Sequence, residues 1–247
     1  MFIFGSGVLI GTPSGANATP VNFGLVNEVS IDESVELKAL YGQSNYPVAV
    51  GAGTIKTSGK AKAARISGLA MASLYYGVTP VAGQTASVMG EAGTVPATTS
   101  YTIQTAQHTT WTKDQGVVYA GSGLPLTQVA AGAEVLGKYS VAAGVYTFAA
   151  ADEGKAVLIS YNYTISATGQ SIPIASKLIG PTVNFAMNLY GVDPTTNQGY
   201  SLQLYNCVVS KFAFGTKLTD FVMPEFDFQY YANAAGAVGQ WNLPDTM

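Results

Sequence analysis

The sequence predicts a mainly β fold with one short flanking helix and a small inserted β domain. Polar and apolar residues alternate over 28–38 and 225–230, which is the two-residue period of half-buried strands. Apolar residues take helical spacing over 63–76. Short apolar runs recur between turn residues from 101 to 165, as they do in small antiparallel sandwiches.

Three parts are predicted along the chain. Residues 1–20 are rich in glycine and proline and are expected to form an extended arm rather than a packed element. The main β domain is assigned to 21–97 and 168–247, and its glycine-rich and proline-rich stretch 78–99 is interpreted as a linker. An inserted small β-sandwich is assigned to 98–167. An alternative remains open, in which these strands continue one larger barrel.

The main domain is predicted to begin with two oppositely charged strands. In 28–38 the acids Glu28, Asp32 and Glu36 share one face with serines, and valine, isoleucine and leucine take the other face. The second strand, 54–62, places three lysines on one face: Lys56, Lys60 and Lys62. If the strands pair antiparallel with these faces aligned, cross-strand ion pairs make the surface mixed in charge. Otherwise an acidic face stands alone.

A short helix is predicted to follow the basic strand. Ile66, Leu69, Ala70 and Leu74 have the spacing of residues on one side of a helix. Gly77 comes where a C-cap glycine is expected. The sequence therefore predicts a strand pair that leads into one short helix.

The C-terminal third is predicted to be sheet. Residues 185–189 and 200–204 alternate in polarity and flank the polar stretch 192–199, so they are expected to form a hairpin. The stretch 225–230 alternates strictly, and 233–236 offers a turn into a last strand. The residues expected on the buried side of 225–230 are Phe226, Phe228 and Tyr230.

Composition favours a protein that assembles with other subunits. Only 10% of the 247 residues are charged, against about 25% in ordinary soluble domains, whereas 48% are hydrophobic. Such a surface suits subunit contacts, and a low-charge extracellular β domain is the alternative. The formal net charge of −3 gives no basic footprint for nucleic acid. No apolar window is long enough to predict membrane insertion.

The sequence lacks the residue sets of common catalytic and metal sites. One histidine, His108, and one cysteine, Cys207, cannot form a multi-histidine site, a thiolate cluster or an intrachain disulfide. No nucleophile-elbow or Ser-x-x-Lys motif occurs. Glu225 and Asp227 lie two residues apart on one strand rather than across a cleft. No enzyme activity, cofactor or metal is therefore expected.

Four runs carry a resemblance to a known family. They are Leu-Tyr-Gly-Gln-Ser-Asn-Tyr-Pro-Val-Ala at 40–49, Gly-Lys-Ala-Lys-Ala-Ala-Arg-Ile at 59–66, Leu-Tyr-Tyr-Gly at 74–77, and Phe-Asp-Phe-Gln-Tyr-Tyr-Ala-Asn-Ala-Ala-Gly-Ala-Val-Gly at 226–239. In residues and order they resemble the major tail tube proteins of long-tailed bacteriophages. The resemblance implies a tail-tube-like β-sandwich or barrel with a flanking helix.

The resemblance also implies a function. Subunits of that family form hexameric rings that stack into a hollow tube, through which DNA passes without specific binding. The expected partners are further copies of the chain and the tape-measure, tail-tip and tail-terminator proteins. The expected location is the virion tail, assembled in the host cytoplasm. The alternative function is a virion-surface or adhesin-type β protein whose 101–165 sandwich binds host carbohydrate.

Two sets of residues are candidate contact sites. The turn region after the first strand offers contact area without charge and is expected to stack one ring on the next. Its residues are Tyr41, Gln43, Asn45, Tyr46 and Pro47. The acidic face of Glu28, Asp32 and Glu36 is expected to line the lumen, because carboxylates repel the phosphates of passing DNA.

Overall fold

The computed structural model describes residues 5–15, 17–65 and 67–244. It confirms the mainly β fold with one short helix. The strands in chain order are β1 Val8–Pro13, β2 Val21–Asn22, β3 Val26–Tyr41, β4 Pro47–Ala63, β5 Val81–Thr94, β6 Thr102–Gln104, β7 Trp111–Tyr119, β8 Thr127–Gln128, β9 Lys138–Ala142, β10 Val145–Phe148, β11 Ala156–Ser171, β12 Asn184–Val192, β13 Gly199–Ala213, β14 Glu225–Tyr230 and β15 Gly239–Asn242.

The chain divides into two compact units. The main unit comprises Met1–Pro80 and Ile172–Met247, and the inserted unit comprises Val81–Ser171. The inserted unit therefore begins well before residue 98, where the sequence had suggested its start. It ends a few residues after 167.

The main unit contains one large antiparallel sheet. Its strand order is β2-β1-β12-β13-β14-β4-β3, and β15 pairs with the first part of β13. The predicted hairpin is present as β12 and β13, and the alternating stretch 225–230 is β14. Large buried side chains of the core beneath the sheet are Leu9, Phe23, Phe185, Met187, Leu202, Leu204, Phe226, Phe228 and Tyr230.

The predicted helix is present but shorter than expected. Its α-helical part, α1, covers Gly68–Ala70 and continues as a π-helical turn over Met71–Tyr76. Ala63 is the last residue of β4 and cannot begin the helix. The Ser67 side chain accepts a hydrogen bond from a backbone N–H of α1 at 3.2 Å, which marks the true N-cap.

The helix contributes two side chains to the core. Ala70 and Leu74 are buried there, whereas Leu69, expected on the same side, is 45% exposed. Ile66 lies outside the described residues. Gly77 ends the helix with φ 60° and ψ 43°, which confirms the predicted C-cap.

The first strand corrects the prediction of an extended arm. Val8–Pro13 pairs with β12 inside the sheet, and Leu9 is fully buried. Gly11 makes room for the helix, because a Cβ built there would lie 2.6 Å from Leu74 Cδ1. The glycine that suggested an arm therefore serves close packing. Residues 1–4 lie outside the described residues.

The predicted linker is also a strand. β5 pairs antiparallel with β11 from Thr94 opposite Ala156 to Val81 opposite Ser171. The register shifts twice, near the left-handed glycines at 83 and 90. These glycines interrupted the alternation, and the partner strand is distant in sequence, so no local pattern identified β5.

In the inserted unit two sheets share one core. The first sheet has the order β5-β11-β7 and the second β6-β10-β9-β8. The pair β8 and β9 is parallel, whereas the sequence suggested a purely antiparallel sandwich. The buried core residues are Val95, Val117, Leu126, Tyr139, Tyr146, Phe148, Val157, Ile159 and Tyr161.

Candidate functional site

Strands β3 and β4 form a two-stranded ribbon that extends beyond the sheet. They pair antiparallel over their lengths. β14 flanks β4 only from Gly59 to Lys62. Beyond Gly59 no other strand pairs with either of them in the described part of the chain. We call residues 32–58 the ribbon.

Side chains at the root of the ribbon hold it to β14. The Phe228 ring lies over Gly59, where an added Cβ would overlap it. The Tyr230 hydroxyl donates to Glu33 Oε1 at 3.0 Å, and the Thr57 hydroxyl donates to the Tyr230 carbonyl at 2.5 Å. Burial and the Glu33 carboxylate raise the pKa of Tyr230, so its hydroxyl keeps its proton.

One face of the ribbon is apolar beyond Glu33 and Thr57, which lie on that face at its root. Residues opposite each other on two strands share a face, and Val35 lies opposite Ile55. The face continues the core side of β3, where Val29 and Ile31 pack against the buried core. Its residues are Val35, Leu37, Ala39, Tyr41, Pro47, Val50, Ala52 and Ile55.

This apolar face is open to solvent in the single chain. Val35 is 47% exposed, Leu37 66%, Val50 56% and Ile55 62%. The prediction that Val35 and Leu37 lie on a buried side was therefore wrong. Full burial of one such side chain is worth about 1.5–3 kcal/mol, so covering the whole face strongly favours association.

The opposite face is polar and carries both signs of charge. Along the ribbon it presents Asp32, Ser34, Glu36, Lys38 and Lys56. Nearer the sheet, lysines and acids alternate across four strands, β3, β4, β14 and β13. We call this set the charge ladder; its residues are Glu28, Lys60, Lys62, Lys211, Glu225 and Asp227.

Ion pairs connect the charge ladder. Lys62 Nζ lies 2.5 Å from Glu28 Oε2, and Lys60 Nζ lies 2.9 Å from Glu225 Oε2. The Lys60 ammonium lowers the pKa of Glu225 by hydrogen bonding to it, and this hydrogen bond raises the pKa of Lys60. Both groups therefore keep their charges around neutral pH.

The three residues expected in the lumen share one face, as predicted, but that face is not acidic. Glu28 is paired with Lys62, and Glu36 accepts a hydrogen bond from Thr54 at 3.2 Å. Asp32 lies opposite Ser58. The acidic and basic faces of β3 and β4 are aligned, so the mixed-charge alternative is the correct one.

The residues expected in a stacking loop surround the tip of the ribbon. Tyr41 ends β3 and Pro47 begins β4, so the turn is shorter than the predicted region up to Thr54. Tyr41 is 63% and Tyr46 81% exposed. Gln43 and Asn45 are exposed as well. The tip therefore presents uncharged contact area, whereas its role in stacking remains a proposal.

Two irregular segments of the main unit add exposed apolar surface. One lies between β11 and β12 and the other between β13 and β14. Their most exposed large apolar side chains are Ile174, Leu178, Ile179, Leu218 and Phe221. These segments are therefore candidate contact surfaces of the main unit.

Carboxylates of the inserted unit are bound by tyrosines. Asp114 accepts hydrogen bonds from Tyr139 at 2.5 Å and Tyr146 at 2.7 Å. Burial and Asp114 raise the pKa of both tyrosines, so the hydroxyls stay protonated donors. Tyr161 donates to Glu91 at 2.5 Å in the same manner. These acids therefore satisfy the hydroxyls of buried tyrosines.

The inserted unit also lacks an exposed aromatic platform for sugars. All of its residues are described, and each of its tyrosine, tryptophan and phenylalanine side chains is buried or half-buried. Trp111, for example, is half-buried and donates to the Tyr146 hydroxyl at 3.4 Å. The aromatic residues of the inserted unit therefore give no support to the carbohydrate alternative.

His108 and Cys207, the remaining candidates for catalysis or metal binding, have contacts and burial that are typical of structural residues. His108 Nδ1 lies 3.1 Å from the Thr105 carbonyl oxygen. Cys207 is fully buried, and burial raises the pKa of its thiol to about 12. Within 5–15, 17–65 and 67–244 no three histidine, cysteine or acidic residues form a metal-binding group. Nor does any helix in those ranges have the length and apolarity to cross a membrane.

Sequence reasoning missed the apolar face of the ribbon as a functional surface. The signal was present, since apolar residues recur at alternate positions from Val29 to Tyr41, interrupted at Glu33, over far more than the length of an average strand. A strand pair of that length extends past the core of an ordinary domain.

No protein-family model matches the chain, and a search of curated proteins finds no match.

Proposed function

We propose that the chain is a structural subunit of a bacteriophage tail tube, in which its copies form stacked hexameric rings around the path of the genome. The observation that carries the proposal is the apolar face of the ribbon. It continues the core side of β3 beyond the sheet, and its large apolar side chains stay exposed among the described residues. The tail-tube-like run 40–49 lies at the tip of this ribbon.

The partner that covers the ribbon is a second copy of the chain. Few charged residues oppose self-association, since only 10% of the residues are charged. The main unit also offers exposed apolar segments around Ile179 and Phe221, which can receive an apolar face. Burying apolar surface of one copy against that of another is the usual driving force of permanent assemblies.

The edges of the ribbon support a repeating, head-to-tail contact. In the described residues the outer edge of β3 is unpaired, and so is the edge of β4 from Pro47 to Ser58. Pairing two like edges would join two copies and stop. Pairing the β3 edge of one copy with the β4 edge of the next repeats and can close into a ring.

Such a ring keeps the strands antiparallel. Rotation about an axis along the strands leaves every copy of β3 pointing in one direction and every copy of β4 in the other. The added strand therefore always meets an antiparallel neighbour, as in a closed barrel. The polar face with Asp32 and Glu36 then faces the bore, and the neighbouring copies cover the apolar face. The number of six copies rests on the family resemblance alone.

Electron microscopy and sedimentation of the purified protein test the proposal. We expect rings or tubes of wild-type protein, increasing with concentration. The variant Val35→Ser, Leu37→Ser, Val50→Ser should stay dispersed, because its ribbon no longer has an apolar face to bury. Circular dichroism should show that its strand content is unchanged.

A matched variant controls for the loss of exposed apolar side chains in general. Met89→Ser, Leu124→Ser and Val135→Ser remove three exposed apolar residues of the inserted unit. This variant should assemble like the wild type. A wild-type protein that stays a single chain at every concentration would contradict the proposal, as would tubes formed by the ribbon variant.

A further inference from the structure

The polar face of the main unit contains a cluster of lysines. Lys60 and Lys62 lie about 7 Å apart along β4, given the rise per residue of a strand. Lys56 continues the row within the ribbon, and Lys211 lies two strands away from Lys60, at about 10 Å. Four ammonium groups on one flat face would ordinarily form a footprint for a polyanion.

Acids of the charge ladder occupy the positions between these lysines. Glu28 and Glu225 lie opposite Lys62 on its two sides. Asp227 lies between Lys60 and Lys211 in the same way, with its Oδ2 atom 3.8 Å from Lys211 Nζ.

Stability does not explain this arrangement. The side chains of the ladder are between 29% and 61% exposed, and exposed ion pairs contribute little to stability. Their stronger effect is on the potential of the surface, because each acid cancels the field of a neighbouring lysine. The mutual pKa shifts of Lys60 and Glu225 agree with pairing that persists at neutral pH.

We infer that Glu28, Glu225 and Asp227 mask a lysine surface that would otherwise bind a polyanion such as duplex DNA. The masked face has neither the positive potential that holds phosphates nor the negative potential that repels them. A protein that DNA must slide past gains from such neutrality. The inference stands on the ladder and does not require the tube, since binding is measured on the protein in solution.

Removal of the three acids tests the inference. Glu28→Gln, Glu225→Gln and Asp227→Asn keep the side-chain shapes and unmask the lysines. The control variant is Glu134→Gln, Glu153→Gln and Asp220→Asn, whose acids lie outside this face. Each variant loses three acids, so the formal net charge of both rises from −3 to zero. Binding of a short fluorescent DNA duplex is followed by anisotropy at low salt.

We expect no binding by the wild type or the control and clear binding by the unmasked variant. Its affinity should exceed that of the control at least tenfold. The slope of log affinity against log salt should be about −2.7 to −3.6, as for three or four phosphate contacts. Adding Lys60→Gln and Lys62→Gln should abolish the binding.

Equal binding by the unmasked variant and its control would overturn the inference, as would binding that survives removal of Lys60 and Lys62. Circular dichroism checks that the variants are folded. If the triple variant does not fold, Glu28→Gln with Asp227→Asn repeats the test at lower expected affinity. Sedimentation of the same samples scores tube formation separately, and absence of tubes would count only against the proposed function.

Discussion

The inserted unit and the ribbon use the same alternating strand pattern, but their apolar faces have different surroundings. In the inserted unit two sheets enclose one core, and Val157, Ile159 and Tyr161 on β11 are fully buried. In the ribbon the equivalent alternating residues, such as Leu37 and Ile55, are more than 60% exposed. The apolar faces of the inserted unit cover each other, whereas the apolar face of the ribbon has no second layer over it among the described residues.

The charged groups of the two regions also differ in whether they have partners within the chain. Buried Asp152 accepts hydrogen bonds from Tyr119 at 2.5 Å and from the Gly137 N–H at 3.1 Å. On the ribbon, Lys38 and Lys56 have no ion-pair partner among the described residues. The comparison teaches that a strand pattern alone does not identify its partner, which can be a second sheet or a second chain.

The largest expected difference between the inserted unit and the ribbon is the stability lost when a large apolar side chain is truncated. Ile159→Ala should lower the free energy of unfolding by about 2–5 kcal/mol, because it leaves a cavity in a filled core. Ile55→Ala should change it by less than about 0.5 kcal/mol in the dispersed protein. Urea unfolding followed by tryptophan fluorescence measures both, since Trp111 reports the inserted unit and Trp241 the main unit.

Equal losses from these two isoleucine variants would break the comparison. That result would mean that Ile55 is buried in solution, contrary to its exposure in the single chain. Repeating the Ile55→Ala measurement on assembled protein sharpens the test. A clear loss of stability should then appear, because in the proposed ring a neighbouring copy covers the ribbon.

Filling the space beneath Phe228 should give the next largest effect. Gly59→Ala places a methyl group where the ring lies, so we expect a loss of about 1–3 kcal/mol from overpacking. Gly51→Ala is the matched control, since a Cβ there meets no atom within 4 Å. Thermal unfolding of the two variants decides whether the root of the ribbon is packed as tightly as a core.

Removal of one hydroxyl at the root of the ribbon should lower the stability only slightly but should slow assembly. Tyr230→Phe deletes the hydrogen bond to Glu33, for which we expect a loss of about 0.5–1.5 kcal/mol. The freed ribbon should also assemble more slowly, because its direction is less well fixed. Light scattering measures that rate. Unchanged assembly would show that the Tyr230 hydroxyl does not position the ribbon.

The smallest expected effect concerns the acid dependence of the inserted unit. Burial raises the pKa of Asp152, but hydrogen bonds from Tyr119, Lys155 and the Gly137 N–H outweigh it and hold this pKa below its ordinary value. A folded pKa below the unfolded value of about 3.9 stabilises above that pH. This stabilisation is lost as the pH falls through the folded value.

Comparison of the wild type with Asp152→Asn isolates that contribution. The wild type should have the higher melting temperature at neutral pH. Its advantage should shrink as the pH falls below about 4. A difference that stays constant down to strongly acidic pH would assign the effect of the substitution to shape rather than charge.

Local patterns predicted much of this fold, and distant pairings explain what they missed. The alternation of Phe226, Phe228 and Tyr230 identified β14, and Gly77 identified the end of the helix, since both signals lie within a few residues. β1 and β5 were missed because glycines obscured their alternation and their partner strands are far along the chain.

The sequence predicted where the candidate site lies along the chain, but not the charge of its polar face or the exposure of its apolar face. The sequence identified the acidic and basic strands and the tip between them. It could not show whether the two charged faces align, because that depends on the register that pairs Glu28 with Lys62. Nor could alternation show that Val35 and Leu37 lie beyond the core, because a two-sided pattern does not reveal whether anything covers the apolar side.

The ladder between β5 and β11 has a consequence for how this protein could diversify. Val81 and Ser171, the first and last residues of the inserted unit, lie opposite each other, so their Cα atoms are about 4.5–5.5 Å apart. The polypeptide leaves and rejoins the main unit at nearly one point. Any autonomous domain with similarly close termini could be exchanged for residues 81–171 without altering the spacing of the flanking chain. The position is thus a natural cassette site for recombination between genes and for insertion of a foreign domain.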